Sequence, residues 1–170
     1  MSAPDVVIRR LDPGDAEAFR EIRLSGLKDA PEAFSATYEV EVEHPIDHFR
    51  QRLADLPVFA AFLDGRTVGV AGFSRETSPK QKHKGLLWGM YVAPEARRYR
   101  IGAALVQAVL DHARGEVEQV RLAVGHGNAT AIRFYERLGF VTYGREPRAL
   151  KGPNGYSDDV LMVRFFTDPI

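Results

Sequence analysis

The chain of 170 residues contains no cysteine. That absence removes structural disulfides, thiolate metal sites and a cysteine nucleophile together. It also lacks a surplus of charge, since 23 Lys and Arg balance 23 Asp and Glu. A chain so balanced has no overall electrostatic reason to bind nucleic acid or a membrane surface, and neither partner is expected. No run of 18 apolar residues occurs, and the N-terminal MSAPDVVIRRLDPGD has no apolar centre of a secretion signal. A cytoplasmic protein without a membrane span is therefore expected. Of the five histidines only His44 and His48 stand four residues apart, without the glutamate of a His-Glu-x-x-His site, and no metal site is expected. Neither G-x-G-x-x-G nor G-x-x-x-x-G-K-S/T is present, and any phosphate ligand must be held by another device.

What is present reads as one globular core, with no repeat, linker or low-complexity segment, and a single domain over residues 1–170 is expected. Val6–Leu11 is a β-favouring run closed by Asp12-Pro13-Gly14. Ala16, Phe19, Ile22, Arg23 and Leu27 then recur at helical spacing, and Ile46, Phe49 and Leu53 mark a second helix. The intervening residues 31–45 are irregular and read as a loop with a short helical turn. Val58–Leu63, Asp64-Gly65 and Thr67–Phe73 form a hairpin pattern. A strand follows at Gly85–Val92, a helix from Ile101, a strand at Val117–Val124 and a helix at Asn128–Leu138. Strands at Phe140–Gly144 and Val160–Phe166, separated by a long Gly- and Pro-containing connection, complete the order. Strands and helices do not alternate strictly, which predicts a mixed α/β (α+β) arrangement with helices covering a mixed sheet.

The junction at residues 92–106 carries the most chemistry. A helix starting at Ile101 leaves its first N–H groups unpaired, and its dipole adds partial positive charge there. Such an end accepts phosphate oxygens, and Arg97, Arg98 and Arg100 supply charge-assisted donors. Gly102 permits close approach to the backbone. A solvated surface also accounts for arginines at a junction, and charge and periodicity alone leave both readings open.

The stretch MYVAPEARRYRIGAALVQAVL, residues 90–110, resembles the acetyl-coenzyme A signature of the GNAT superfamily of N-acetyltransferases. The usual form is a strand ending in Val, x-Pro, then Arg/Gln-x-x-Gly-x-Gly/Ala and an Ala-Leu helix. Arg97 matches the first position and Gly102 the second glycine, while Arg100 replaces the first glycine and Arg98 stands where many members carry another. The retained Gly102 and flanking arginines lead us to expect ordinary helical angles at Arg100, with its side chain swung outward. NATAIRFYERLGF, residues 128–140, resembles the second family motif, Asn-x-x-Ala-x-x-Phe/Leu-Tyr-x-x-x-Gly-Phe. The resemblance implies a single-domain fold with a strongly twisted sheet of seven strands, four flanking helices and acetyl-CoA as cosubstrate.

It also implies roles. The backbone of Met90, Tyr91 and Val92 pairs with the pantetheine arm. The loop holding Arg98, Tyr99, Arg100, Ile101, Gly102 and Ala103, with Arg97 before it, faces the pyrophosphate. Asn128 is either a helix N-cap or a pantetheine ligand, and Tyr135 either a packing residue or the general acid that protonates the departing thiolate. Glu39, Glu41, Glu43, Glu76, His126 and a water stand open as general base, and Trp88, Phe34 and Tyr38 as pocket or packing residues. The acceptor is an amine of a small molecule or peptide, and the rival reading is a catalytically silent coenzyme-binding member. A homodimer is expected from family habit and from the apolar tail VLMVRFF at 160–166, whose strand is expected to pair or exchange across a two-fold interface.

Overall fold

The computed structural model describes residues 2–166. Its elements are β1 (Val6–Arg10), α1 (Ala16–Asp29), the single turn α2 (Tyr38–Glu41), α3 (Ile46–Asp55), β2 (Val58–Leu63), β3 (Arg66–Arg75) and β4 (Lys84–Val92), then α4 (Ile101–Ala113), β5 (Gln119–Gly125), α5 (Ala129–Arg137), β6 (Val141–Gly152) and β7 (Gly155–Phe165). Seven strands hydrogen-bond in the order β1-β2-β3-β4-β5-β7-β6. The sheet is mixed: β1–β2, β2–β3, β5–β7 and β6–β7 are antiparallel, whereas β4 and β5 are parallel with Lys84–Leu86 opposite Gln119–Arg121. A parallel pair needs a crossover, and α4 supplies it.

Contacts group the chain into two compact units, each made of two segments: Met1–Ser74 with Leu87–His112, and Arg75–Leu86 with Ala113–Ile170. In the first, the apolar stripe of α1 places Phe19 and Ile22 against Phe49 and Leu53 of α3 and against Val58, Ala60 and Val70. Phe19 and Phe49 meet edge to face at 5.9 Å, and Phe34, Ile46, Phe62 and Trp88 pack around this cluster. Asp12 and Asp15 form a reciprocal capping box that starts the chain into α1. Asp64 and Gly65 both take positive φ, 48° and 80°, the conformation that a two-residue hairpin turn demands. In the second unit, Val120, Leu122, Phe140, Met162 and Val163 are buried.

Two sequence expectations fail here. The supposed long connection 145–159 is largely strand, because β6 and β7 form an extended hairpin turning at residues 153–154. Its alternation is hidden by register shifts between Thr142 and Gly144 and between Glu146 and Leu150, by left-handed Arg148, and by exposure along most of β6. The tail strand lies between β5 and β6, so both of its edges are taken, and of the two expected routes to a dimer it is edge pairing that fails. No helix among the described residues is long and apolar enough to cross a membrane.

Candidate active site

β4 ends in Met90, Tyr91 and Val92 and is fixed there by side chains from α1. The Tyr91 ring lies so close to Gly26 that a Cβ on that glycine would approach it to 3.0 Å. Its hydroxyl donates to Asp29 at 2.9 Å. Burial, and then the bond to Asp29, push the Tyr91 hydroxyl up to about 12, so it stays a donor at neutral pH. Arg97 Nη2 reaches the same carboxylate at 3.3 Å, and its Nε donates to the Val92 carbonyl at 3.1 Å. Arg97 thus braces the turn against the strand it follows. Asp29, which joins the two, carries no sequence signal beyond closing α1.

Pro94–Tyr99 form a 3-10 helix, and Arg100 follows it with φ 56° and ψ 26°. The expectation of ordinary helical angles at Arg100 is therefore wrong. One left-handed residue re-aims the chain from the 3-10 helix into α4, and arginine occupies it although glycine would do so without strain. Right-handed residues followed by a left-handed one turn their N–H groups toward one concavity that binds anions. Ala104 N–H donates back to the Arg100 carbonyl at 3.2 Å, leaving Ile101, Gly102 and Ala103 as the first turn of α4. The Arg98 guanidinium sits 5.1 Å over the Tyr99 ring, and Arg98 and Arg100 are exposed. The free first-turn N–H groups of α4 and two exposed cations give this junction the positive character that a diphosphate requires.

In the second unit, Asn128 caps α5: its Oδ1 accepts from Ala131 N–H at 3.1 Å. That cap leaves the Nδ2 donors unused by it. Tyr135 is 8% exposed, its ring edge to face with Phe140 at 5.7 Å and with Phe134 at 5.0 Å. Burial raises its hydroxyl well above the ordinary tyrosine value, so it remains protonated. Glu76 is paired with Arg121 at 2.8 Å, and His126 is exposed. Glu39 and Glu43 of the first unit are exposed as well. Among the described residues no group of three or more His, Asp or Glu side chains is placed to hold a metal.

Glu41 is unlike the other glutamates. It is 4% exposed and accepts from Arg23 Nε and Nη2 at 3.1 and 2.9 Å, with Arg52 at 3.4 Å. Burial pushes its carboxyl up, but the hydrogen bonds and charge of Arg23 together with those of Arg52 hold it below the ordinary range. An anion so engaged is a poor proton acceptor, which removes Glu41 from the candidate bases. Arg23 has a legible signal: it is an arginine on the apolar face of α1.

Residues 25–140 match the acetyltransferase (GNAT) family, and the chain belongs to that family. An L-amino acid N-acetyltransferase of Escherichia coli is 28% identical over 94% of this chain and 98% of its own. A mycothiol acetyltransferase of Thermobispora bispora is 31% identical over 81% of this chain but only 47% of its own. Among solved structures, a GNAT acetyltransferase of Streptococcus pneumoniae superposes with TM-score 0.85 at 20% identity, covering 95% of this chain and 100% of that one. An acetyltransferase of Salmonella typhimurium, solved with its cofactor acetyl-CoA, gives 0.82 at 22% identity over 98% and 96%. The fold is the mixed α/β GNAT fold, and the coarse activity that family membership carries is acetyl transfer.

Proposed function

We propose that the chain is a single N-acetyltransferase domain, residues 1–170, that transfers the acetyl group of acetyl-CoA to a primary amine of a small molecule or peptide by direct attack within a ternary complex. The observation that carries this reading is the left-handed residue Arg100, which ends the 3-10 helix following β4 and opens the N-terminus of α4. The backbone of Met90, Tyr91 and Val92 holds the pantetheine arm. The N–H groups of Ile101, Gly102 and Ala103, with Tyr99 and the side chains of Arg98 and Arg100, hold the pyrophosphate. Arg97 and Asp29 keep strand and turn in register, and Asn128 caps α5 while offering its amide to the arm.

Bound acetyl-CoA supplies an activated thioester carbonyl. The neutral amine attacks the carbonyl and passes its surplus proton to water, the C–S bond breaks, and the coenzyme thiolate gains a proton from a donor that solvent then reprotonates. Tyr135 donates that proton: its buried hydroxyl stays protonated across the working range, and no covalent enzyme intermediate is needed in a chain without cysteine. The relatives described above differ in the acceptors their names state, so the amine is not transferable from them.

Isothermal titration with acetyl-CoA and steady-state release of coenzyme A test the reading. No binding at about 1 mM acetyl-CoA would sink it. Tyr135→Phe keeps the ring and removes the hydroxyl, and should lower the turnover rate about 10²-fold with coenzyme affinity unaltered. Equal rates would leave Tyr135 a packing residue. A second reading, a silent coenzyme-binding member, is favoured by the strained arginine where the family carries glycine. Binding without thiol release over a broad amine panel would establish it.

A further inference from the structure

The first unit buries the pair Arg23 and Glu41 and brings the half-buried Arg52 to the same carboxylate. Arg23 is 6% exposed, and together with Arg52 it faces one carboxylate, that of Glu41, so two guanidinium charges meet a single negative one. Glu41 engages Arg23 Nε and Nη2, which leaves Nη1 buried without a hydrogen-bond partner. The indole Nε1 of Trp88 is likewise buried and unpartnered. Both belong to one neighbourhood. The guanidinium carbons of Arg23 and Arg52 lie 5.8 and 5.5 Å from the centre of the Trp88 ring, and Phe34 faces Arg23 at 5.3 Å. Gly89, with φ 64°, kinks β4 beside them, and a Cβ there would stand 3.1 Å from Arg23 Nη1. Buried donors are rarely left unpaired in native proteins, and two in one place call for an acceptor.

We infer that Arg23 Nη1 and Trp88 Nε1 bind the carboxylate of the acceptor, so that the acetylated amine belongs to a molecule carrying a carboxylate close to its amino group, an amino acid in the simplest case. The inference rests on the acetyl transfer proposed above and names its substrate class. Charge agrees with it, because an anion here would lie beside two guanidinium groups that share one carboxylate. Donor number supports it too: two N–H groups match the two oxygens of a carboxylate, whereas a phosphate group asks for more. Position is the third argument. With the pyrophosphate at residues 98–103 and the arm running back along Val92 to Met90, the thioester end lies toward Gly89 and Trp88. A strand rises about 3.3 Å per residue, so a carboxylate at Trp88 and Gly89 is within the length of a small molecule from the acetyl group. Glu41 and Arg52 are positioning residues that turn Arg23 so that Nη1 remains for the ligand.

Trp88 is the only tryptophan of the chain, so its emission reports directly on this place. The protein, free and saturated with coenzyme A, is titrated with glycine, L-leucine and L-methionine and with their carboxamides. A saturable change in emission with the acids, at least about tenfold weaker with the amides, is expected. No response to any acid, or equal response to acid and amide, overturns the inference. Failure of acetyl transfer itself would appear separately, as absent thiol release beside an intact emission response. Trp88→Phe keeps an aromatic face but removes the Nε1 donor, and should reduce the acid-over-amide ratio of kcat/KM about tenfold. An unchanged ratio, in a folded variant, removes Trp88 from carboxylate recognition and overturns the two-donor site.

Discussion

Arg100 shows how one dihedral angle separates sequence from structure. Its side chain is readable from the chain, its φ of 56° is not, and arginine at a glycine position was compatible with either a helical or a left-handed backbone. The left-handed residue turns the chain from the 3-10 helix into α4, a geometry that costs roughly 1–2 kcal/mol for a residue with a Cβ. Arg100→Gly should therefore raise stability by about 0.5–1 kcal/mol, after the greater entropy of glycine in the unfolded chain is deducted. For a chain of this size the melting temperature should rise by about 1–4 °C, read by thermal unfolding without ligand. A lower melting temperature would mean that the guanidinium makes a compensating contact. Tyr135 and Gly102 were legible because the motif names them. Asp29 was not: an aspartate at the end of a helix is unremarkable until Tyr91 and Arg97 are seen to share it.

At the scale of elements, legibility followed burial on one face. The β2–β3 hairpin was visible because Asp64-Gly65 separates two apolar runs, and α1 because its apolar stripe repeats at helical spacing. β6 was not, since most of it is exposed and its bulges break the period of two. The turn α2 had no period either, and Glu41 ties it to α1 and α3 through Arg23 and Arg52. Removing one partner from such a buried group leaves uncompensated charge, so Glu41→Gln should destabilise by about 3 kcal/mol at pH 7. The native carboxyl titrates below its unfolded value, so as pH falls the unfolded chain takes up the proton first. The stabilisation is complete above the unfolded value, about 4.3, and is lost as pH falls through the lower native one. Urea unfolding at pH 7 and at about pH 3 should accordingly show the gap between wild type and variant narrowing in acid. A gap independent of pH would place its origin in packing.

The whole molecule poses the question of cooperativity. The two compact units are each discontinuous in sequence: the chain passes between them after Ser74, after Leu86 and after His112, and β4 itself contributes to both. Residues 25–140, which match the family, include part of all four segments. Neither unit is a stretch of chain that folds while the rest waits, and the proposed single domain should unfold in one calorimetric transition whose van't Hoff and calorimetric enthalpies agree. Binding adds a stricter condition. At acetyl-CoA about 100 times its dissociation constant, a ligand that binds only the native state stabilises by about 2.7 kcal/mol. That corresponds to a rise of about 5–11 °C for a chain of this length. Each unit is interrupted in sequence by the other, so the transition should move as a whole, keeping its single peak. Two peaks, of which acetyl-CoA shifts only one, would show that the units unfold independently and that the ligand is held by one of them.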